Sequence, residues 1–333
     1  MNTDLTITLP NTLTATDPTA RAAASALELL LSDTRSEETR RAYARDLCKF
    51  FTWHANTDPT PAAIYALCSM SAGELAITLN GYKAAMREQA LGEATINRRL
   101  AALRSLLRMA RRLGADIPDP SGLVSSEKVT TYRDTRGPAL NDAARLLDAP
   151  DRTTTRGKRD YALLLLLCEN ALRRGELHKC NVADYDPAAG RLDILGKGRG
   201  TQKETITLSP AAVEALNDYL NARRADTLLT PADPLFANAA HFTDGNQRLA
   251  GRGLLFIVNA YGEKVLGHSL HPHALRHMAI TAVLDATGGD VRTAQRLSRH
   301  KDLRTLSIYD DNRADLQGKA TLMLSALLKG NRA

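Results

Sequence analysis

The chain has 333 residues, 44% of them apolar and 24% charged, with a net charge of +7. That length suits about two domains of ~150 residues each, and the composition is ordinary for a globular protein with material for two cores. The positive excess favours a polyanionic partner, and the longest strictly apolar run, Ala162 to Cys168, falls far short of the ~20 residues of a membrane helix. Residues 1–20 hold seven Thr, two Pro and two Asp, without Lys, Arg or an apolar run. They read as a flexible tail and not as a secretory signal. From about Thr19 to Leu113 the text is helical. Ser36 is placed to cap a helix on which Tyr43, Leu47, Phe50 and Trp53 share a face. Between Glu93 and Leu113, a helical repeat puts Ile96, Leu100, Leu103, Leu106, Leu107 and Leu113 on one half. Arg104, Arg108, Arg111 and Arg112 fall on the other, with Arg98 at its margin.

The segment from Gly114 to Pro138 carries Pro118, Pro120, Gly122, Gly137 and Pro138 among polar residues, which predicts an interdomain linker. A second domain starts near Leu140, with a strongly buried helix at Tyr161–Cys168. The pattern then changes period. Val182–Asp186, Arg191–Leu195 and Thr205–Leu208, separated by turns, predict a small three-stranded antiparallel sheet. Helices resume at Pro210, and the chain ends in an apolar helix at about Leu316–Leu328. The fold class is therefore mainly α with a small antiparallel β-sheet. The division runs as a tail over 1–20, a helical domain over 21–116, a linker over 117–137 and a second domain over 138–333. Cys48, Cys68, Cys168 and Cys180 form no CxxC pair and read as buried thiols in a reducing compartment.

Four short pieces of the second domain carry chemistry together. They are Ala171-Leu172-Arg173-Arg174-Gly175-Glu176-Leu177, then Gly196-Lys197-Gly198, then His271-Pro272-His273-Ala274-Leu275-Arg276-His277, and lastly Leu297-Ser298-Arg299-His300 with Tyr309 nine residues on. In this order they resemble the tyrosine recombinase (phage integrase) family, and the helix holding Ser36, Thr39, Tyr43, Asp46, Leu47, Phe50 and Trp53 is similar to that family's core-binding domain. The resemblance covers about Ser36 to Leu328. With no room ahead of the core-binding helices for a further arm-binding domain, it is to the two-domain Xer and Cre type. It implies a helical, SAM-like core-binding domain followed by a tyrosine recombinase/type IB topoisomerase-like catalytic domain.

The resemblance assigns roles. Arg173 and Arg276 clamp the scissile phosphate and His300 adds a donor, because charge growing on the non-bridging oxygens must be met by cations. Tyr309 is the nucleophile that forms a 3′-phosphotyrosyl link, Lys197 the acid that protonates the leaving 5′-oxygen, and His273 an aid to proton movement at the nucleophile. Lys203 is a second candidate for the acid if the hairpin is offset. Glu176 is expected to orient an arginine, or to form an ordinary helix ion pair. Two departures stand out: Ala171 and Arg299 occupy positions where the family usually has glycine. His271, His273 and His277 raise the thought of zinc, but no carboxylate or Cys completes the set; no metal and no cofactor are expected.

The implied partner is double-stranded DNA with paired recognition half-sites, contacted by Arg98, Arg99, Arg104, Arg108, Arg111 and Arg112. Self-association to a tetramer on DNA, a partner recombinase, and a cytoplasmic, nucleoid-associated location belong to the same expectation. The terminal helix docks on a neighbouring protomer or on its own domain. Two other readings use the same residues: a type IB topoisomerase-like relaxing enzyme, and a catalytically idle architectural DNA-binding protein. Plasmid relaxation beside two-site recombination separates all three.

Overall fold

A computed structural model describes residues 17–129, 137–196, 200–238, 247–300, 302–303, 306 and 316–330. The chain forms two compact units, Met1–Thr130 and Thr131–Ala333.

Five helices build the first unit: α1 (Pro18–Asp33), α2 (Glu37–Ala55), α3 (Pro61–Cys68), α4 (Ala72–Glu88) and α5 (Glu93–Arg112). Local chemistry sets their starts. Asp17 accepts from Thr19 N at 2.8 Å, ahead of Pro18 in the first turn. The last residues of the stretch read as a tail are therefore a helix cap and first turn. Ser36 caps α2, and Ser71 with Glu74 forms a reciprocal capping box on α4. Leu47, Phe50, Phe51, Leu75, Leu79, Leu100, Leu103, Leu106 and Leu107 fill the core. The small residues Ala22, Ala23 and Ala26 let α1 lie close upon it.

The described residues that follow α5, up to Val129, hold no helix or strand, yet they are not a loose connector. Ala115, Ile117 and Val124 are buried in the first core. Asn97 exchanges two hydrogen bonds with the backbone of Glu127, at 2.7 and 2.9 Å, and Lys83 donates to Ser125 O at 2.8 Å. Arg87 adds a two-pronged pair with the Glu127 carboxylate. Prolines and glycines exclude regular structure here, but apolar residues between them still seek the core.

The second unit comprises α6 (Leu140–Asp148), α7 (Thr155–Glu169), α8 (Arg174–Leu177), β1 (Tyr185–Asp186), β2 (Arg191–Ile194), β3 (Glu204–Thr207), α9 (Pro210–Asp226), α10 (Gly251–Leu266), α11 (Pro272–Ala286), α12 (Val291–Ser298) and α13 (Leu316–Gly330). Helix α7 is the axle: every residue from Ala162 to Leu167 is buried, and α6, α9 and α11 pack around it. The sheet is a β1-β2-β3 antiparallel meander with Tyr185 opposite Leu192 and Leu192 opposite Ile206. Its first strand is shorter than expected. Val182–Asp184 forms a 3₁₀ turn, because Asp184 Oδ2 accepts from Asn181 N at 2.8 Å while Val182 N and Ala183 N donate to Asp233 O and Pro231 O. Those donors are turned away from β2, and no ladder can form there.

All four cysteines are free. Burial pushes the Cys68 thiol up to about 11 and those of Cys168 and Cys180 to about 12. No single described helix is long and apolar enough to cross a membrane.

Candidate active site

The site is assembled where three breaks in helical structure meet. Helix α7 ends at Glu169, and the chain turns through Ala171, whose φ of 46° lies in the left-handed region. That turn delivers Arg173 in extended conformation as the residue capping α8. Glu176, three residues on and 2% exposed, faces back. Its Oε2 accepts from Arg173 N at 2.9 Å, and its Oε1 meets Arg173 Nη1 at 2.7 Å. One carboxylate thus fixes both the backbone and the guanidinium of Arg173, whose side chain remains 28% exposed. Burial alone raises the Glu176 carboxyl; Arg299 and then the backbone and side chain of Arg173 outweigh it and hold the group below the usual carboxylate range.

The second break is the start of α11. His271 is the cap residue, Pro272 opens the first turn, and His273 stands exposed beside it. One turn further in, Arg276 has 0% exposure. Its Nη1 donates to Ala171 O and its Nη2 to Ser298 O, so two of its donors hold the other two breaks in place. Its Nη2 also lies 3.3 Å from His300 Nε2.

The third break is the end of α12, where Arg299 adopts φ 57° and caps the helix. His300 follows, with its backbone oxygen held by Gln295 Nε2 at 3.0 Å. Burial first, then the charges of Arg276, Arg173, His273 and Arg299, push the His300 imidazole down to about 4. Arg276 can only donate, so the neutral ring accepts at Nε2 and carries its proton on Nδ1.

Arg173, Arg276 and His300, from three separate stretches of chain, therefore converge, and the charge of His273 is felt at the same point. Lys197 and Tyr309 lie outside the described residues. Lys203 Nζ is paired with Asp184 at the foot of the hairpin. Arg174, next to Arg173, is exposed and lies along Gly251 at the start of α10. His277 is buried, with Nδ1 3.4 Å from Thr281 Oγ1.

The α5 arginines divide. Arg108, Arg111 and Arg112 are exposed. Arg104 is partly withdrawn by donating to Val124 O and Ser126 Oγ. Arg98 forms a two-pronged pair with Asp46 at 2.8 and 3.0 Å. Arg99 is 7% exposed and also approaches Asp46, so it leaves the candidate DNA surface. The signal was Asp46 itself: a carboxylate on the apolar face of α2 needs buried cations.

Residues 27–114 match the phage integrase N-terminal SAM-like domain, and residues 139–315 match the phage integrase family. A tyrosine recombinase of Synechococcus elongatus is 46% identical over 306 residues, covering 91% of this chain and 93% of that protein. A tyrosine recombinase of Synechocystis is 40% identical over 309 residues, covering 91% and 95%. Among solved structures, a XerH site-specific recombinase bound to a palindromic difH substrate after cleavage superposes with a TM-score of 0.66 at 16% identity, covering 92% of this chain and 97% of that one.

Proposed function

The chain belongs to the phage integrase family and is a DNA strand-transferring tyrosine recombinase, and we propose that it divides the labour of site-specific recombination among six side chains. The convergence of Arg173 and Arg276 beside His300 carries this reading, because it gathers the cations that a phosphodiester under attack needs.

The Tyr309 oxygen attacks phosphorus as its proton leaves with the help of His273. The bond to the 5′-oxygen breaks, and Lys197 protonates that oxygen. A 3′-phosphotyrosyl bond and a free 5′-hydroxyl result. Attack by a 5′-hydroxyl from the partner strand reverses the chemistry, expels Tyr309 and needs no ATP, since each phosphoester bond broken is replaced by another. Arg173, Arg276 and His300 stabilise the extra charge on the non-bridging oxygens. Glu176 keeps the Arg173 fork pointed.

The substrate is duplex DNA with paired half-sites, and exposed Arg108, Arg111 and Arg112 contribute phosphate contacts in the first unit. Two duplexes cut on both strands require four nucleophiles, so four copies assemble on two sites, with a second recombinase as an alternative source of two of them. The setting is the cytoplasm, on the nucleoid. Tyr309→Phe tests the assignment: on a nicked suicide substrate it should bind DNA like the wild type and form no covalent adduct on a denaturing gel. Adduct in the variant removes Tyr309 from its role. Recombination between two sites, beyond plasmid relaxation alone, separates this function from that of a relaxing enzyme.

A further inference from the structure

Two positions where the family usually carries glycine are Ala171 and Arg299 here, and both backbones are left-handed, with φ of 46° and 57°. Glycine adopts that conformation freely, whereas a Cβ crowds the following carbonyl. The chain accepts this strain twice at the active site, and the two strained residues are joined through one side chain. Arg299 Nη1 donates to Asn170 O at 3.1 Å and to Leu297 O at 2.7 Å. Its Nη2 donates to Ala171 O and to Glu176 Oε2, both at 3.1 Å. The side chain is 5% exposed.

We propose that Arg299 is a positioning residue for the proposed strand-transfer chemistry, a brace that ties the α12 end to the α7–α8 turn and aims Arg173 through Glu176. The line of force is short. Arg299 holds Oε2 of Glu176, and the same carboxylate holds the backbone and guanidinium of Arg173. Arg299 also shares the Ala171 carbonyl with Arg276, so it supports the turn on which both clamp arginines depend. A glycine in its place relaxes the backbone but leaves the buried carboxylate with Arg173 as its one remaining ion-pair partner among the described residues. What glycine gives other members in backbone freedom, this chain replaces with a fixed cross-link.

The role rests on the recombinase reading and predicts a split between binding and chemistry. Arg299→Gly removes the brace; the relieved φ offsets only part of the lost buried ion pair, so the variant should stay folded with a lowered melting temperature, and rates are compared well below it. Its affinity for DNA should change by less than about twofold, while single-turnover formation of the Tyr309 adduct slows by ~10–100-fold, the size of effect expected when a reacting group is displaced. Arg299→Lys, which keeps the cation, should recover part of the rate. In a Glu176→Gln background the Arg299→Gly loss should shrink to about twofold, because both changes break one chain of contacts. A second readout needs no activity. The Arg173 guanidinium N–H resonance, assigned by its disappearance in Arg173→Lys, should be sharp in the wild type and in Arg299→Lys and broadened in Arg299→Gly. Wild-type cleavage in Arg299→Gly, an equal loss in the Glu176→Gln background, or an unchanged Arg173 resonance overturns the brace. If the wild type forms no adduct at all, the recombinase reading fails, and the Arg173 resonance still decides the role of Arg299.

Discussion

At the scale of single residues, the site is a set of cations held by neutral or negative partners. Arg173→Ala or Arg276→Ala should lower cleavage by ~10²–10³-fold, as when a preorganised oxyanion donor is lost, with much smaller effects on DNA affinity. Arg174→Ala, at an exposed position, should be nearly silent for cleavage. Single-turnover assays on all three check the register, and a dead Arg174 variant beside an active Arg173 variant places it one residue off. His300 gives a second expectation. Its imidazole is pushed from the usual 6.5 down to about 4, so the unfolded chain binds the proton more readily than the folded one. The stability it contributes is therefore complete above about pH 6.5 and is lost as pH falls toward 4. An NMR titration of the His300 ring in the free protein should show a midpoint near 4, and a midpoint near 6.5 contradicts this electrostatic picture. Arg173, Arg276 and His300 were singled out because the order of their motifs resembles the family's, and the fold brings these three together. The brace was not legible, since Arg299 read only as a missing glycine. Its meaning lies in the left-handed backbone and in acceptors over a hundred residues away.

At the scale of elements, periodicity carried most of the information. The apolar stripe of α5 was legible from spacing alone, and Ile96, Leu100, Leu103, Leu106 and Leu107 are all buried. Leu103→Ala should cost about 2–5 kcal/mol by cavity formation, measured as a shift in the denaturant midpoint with an unchanged m-value. The hairpin of β2 and β3 raises the question of the acid. Lys203 is engaged by Asp184, a carboxylate that also caps the preceding turn, so Lys203→Ala should loosen the sheet edge and leave cleavage chemistry intact. Lys197→Ala should slow cleavage, and a substrate with a 5′-bridging sulfur, a leaving group that needs no proton, should restore the rate. Failure of that rescue assigns proton donation elsewhere. The first strand was read too long, and the burial of residues after α5 in the first core was not foreseen, for a shared reason. Composition reports whether a segment favours regular structure, but not where its hydrogen bonds go or which apolar side chains it buries.

At the scale of the whole molecule, helix α13 is the unfinished part of the surface. Leu322, Met323, Leu324, Leu327 and Leu328 are each more than half exposed, more contiguous apolar area than an isolated helix in water comfortably carries. The expectation to be tested is that a second copy on the same DNA covers it, in a head-to-tail arrangement that closes into a ring. Deleting residues from Gln317 onward should leave binding to one half-site largely unchanged, weaken cooperative filling of two adjacent half-sites and stop recombination. Band-shift titrations on one and two half-sites provide the measurement, and unchanged cooperativity means the helix serves its own protomer. The sequence displayed this helix plainly, but an apolar face names no partner until assembly is measured.

The complete enclosure of Arg276 has a consequence for safety. An enzyme able to break DNA is dangerous while it wanders. With one half of its anion cradle sealed, the lone protein offers a stray phosphate only an incomplete hold. Inorganic phosphate at cellular concentrations should leave the Arg276 environment undisturbed in the free enzyme, and random duplex should pass without being nicked. Fidelity then has two layers, recognition of sequence by the surface and restraint by a guanidinium whose Nη donors are already engaged in the free protein.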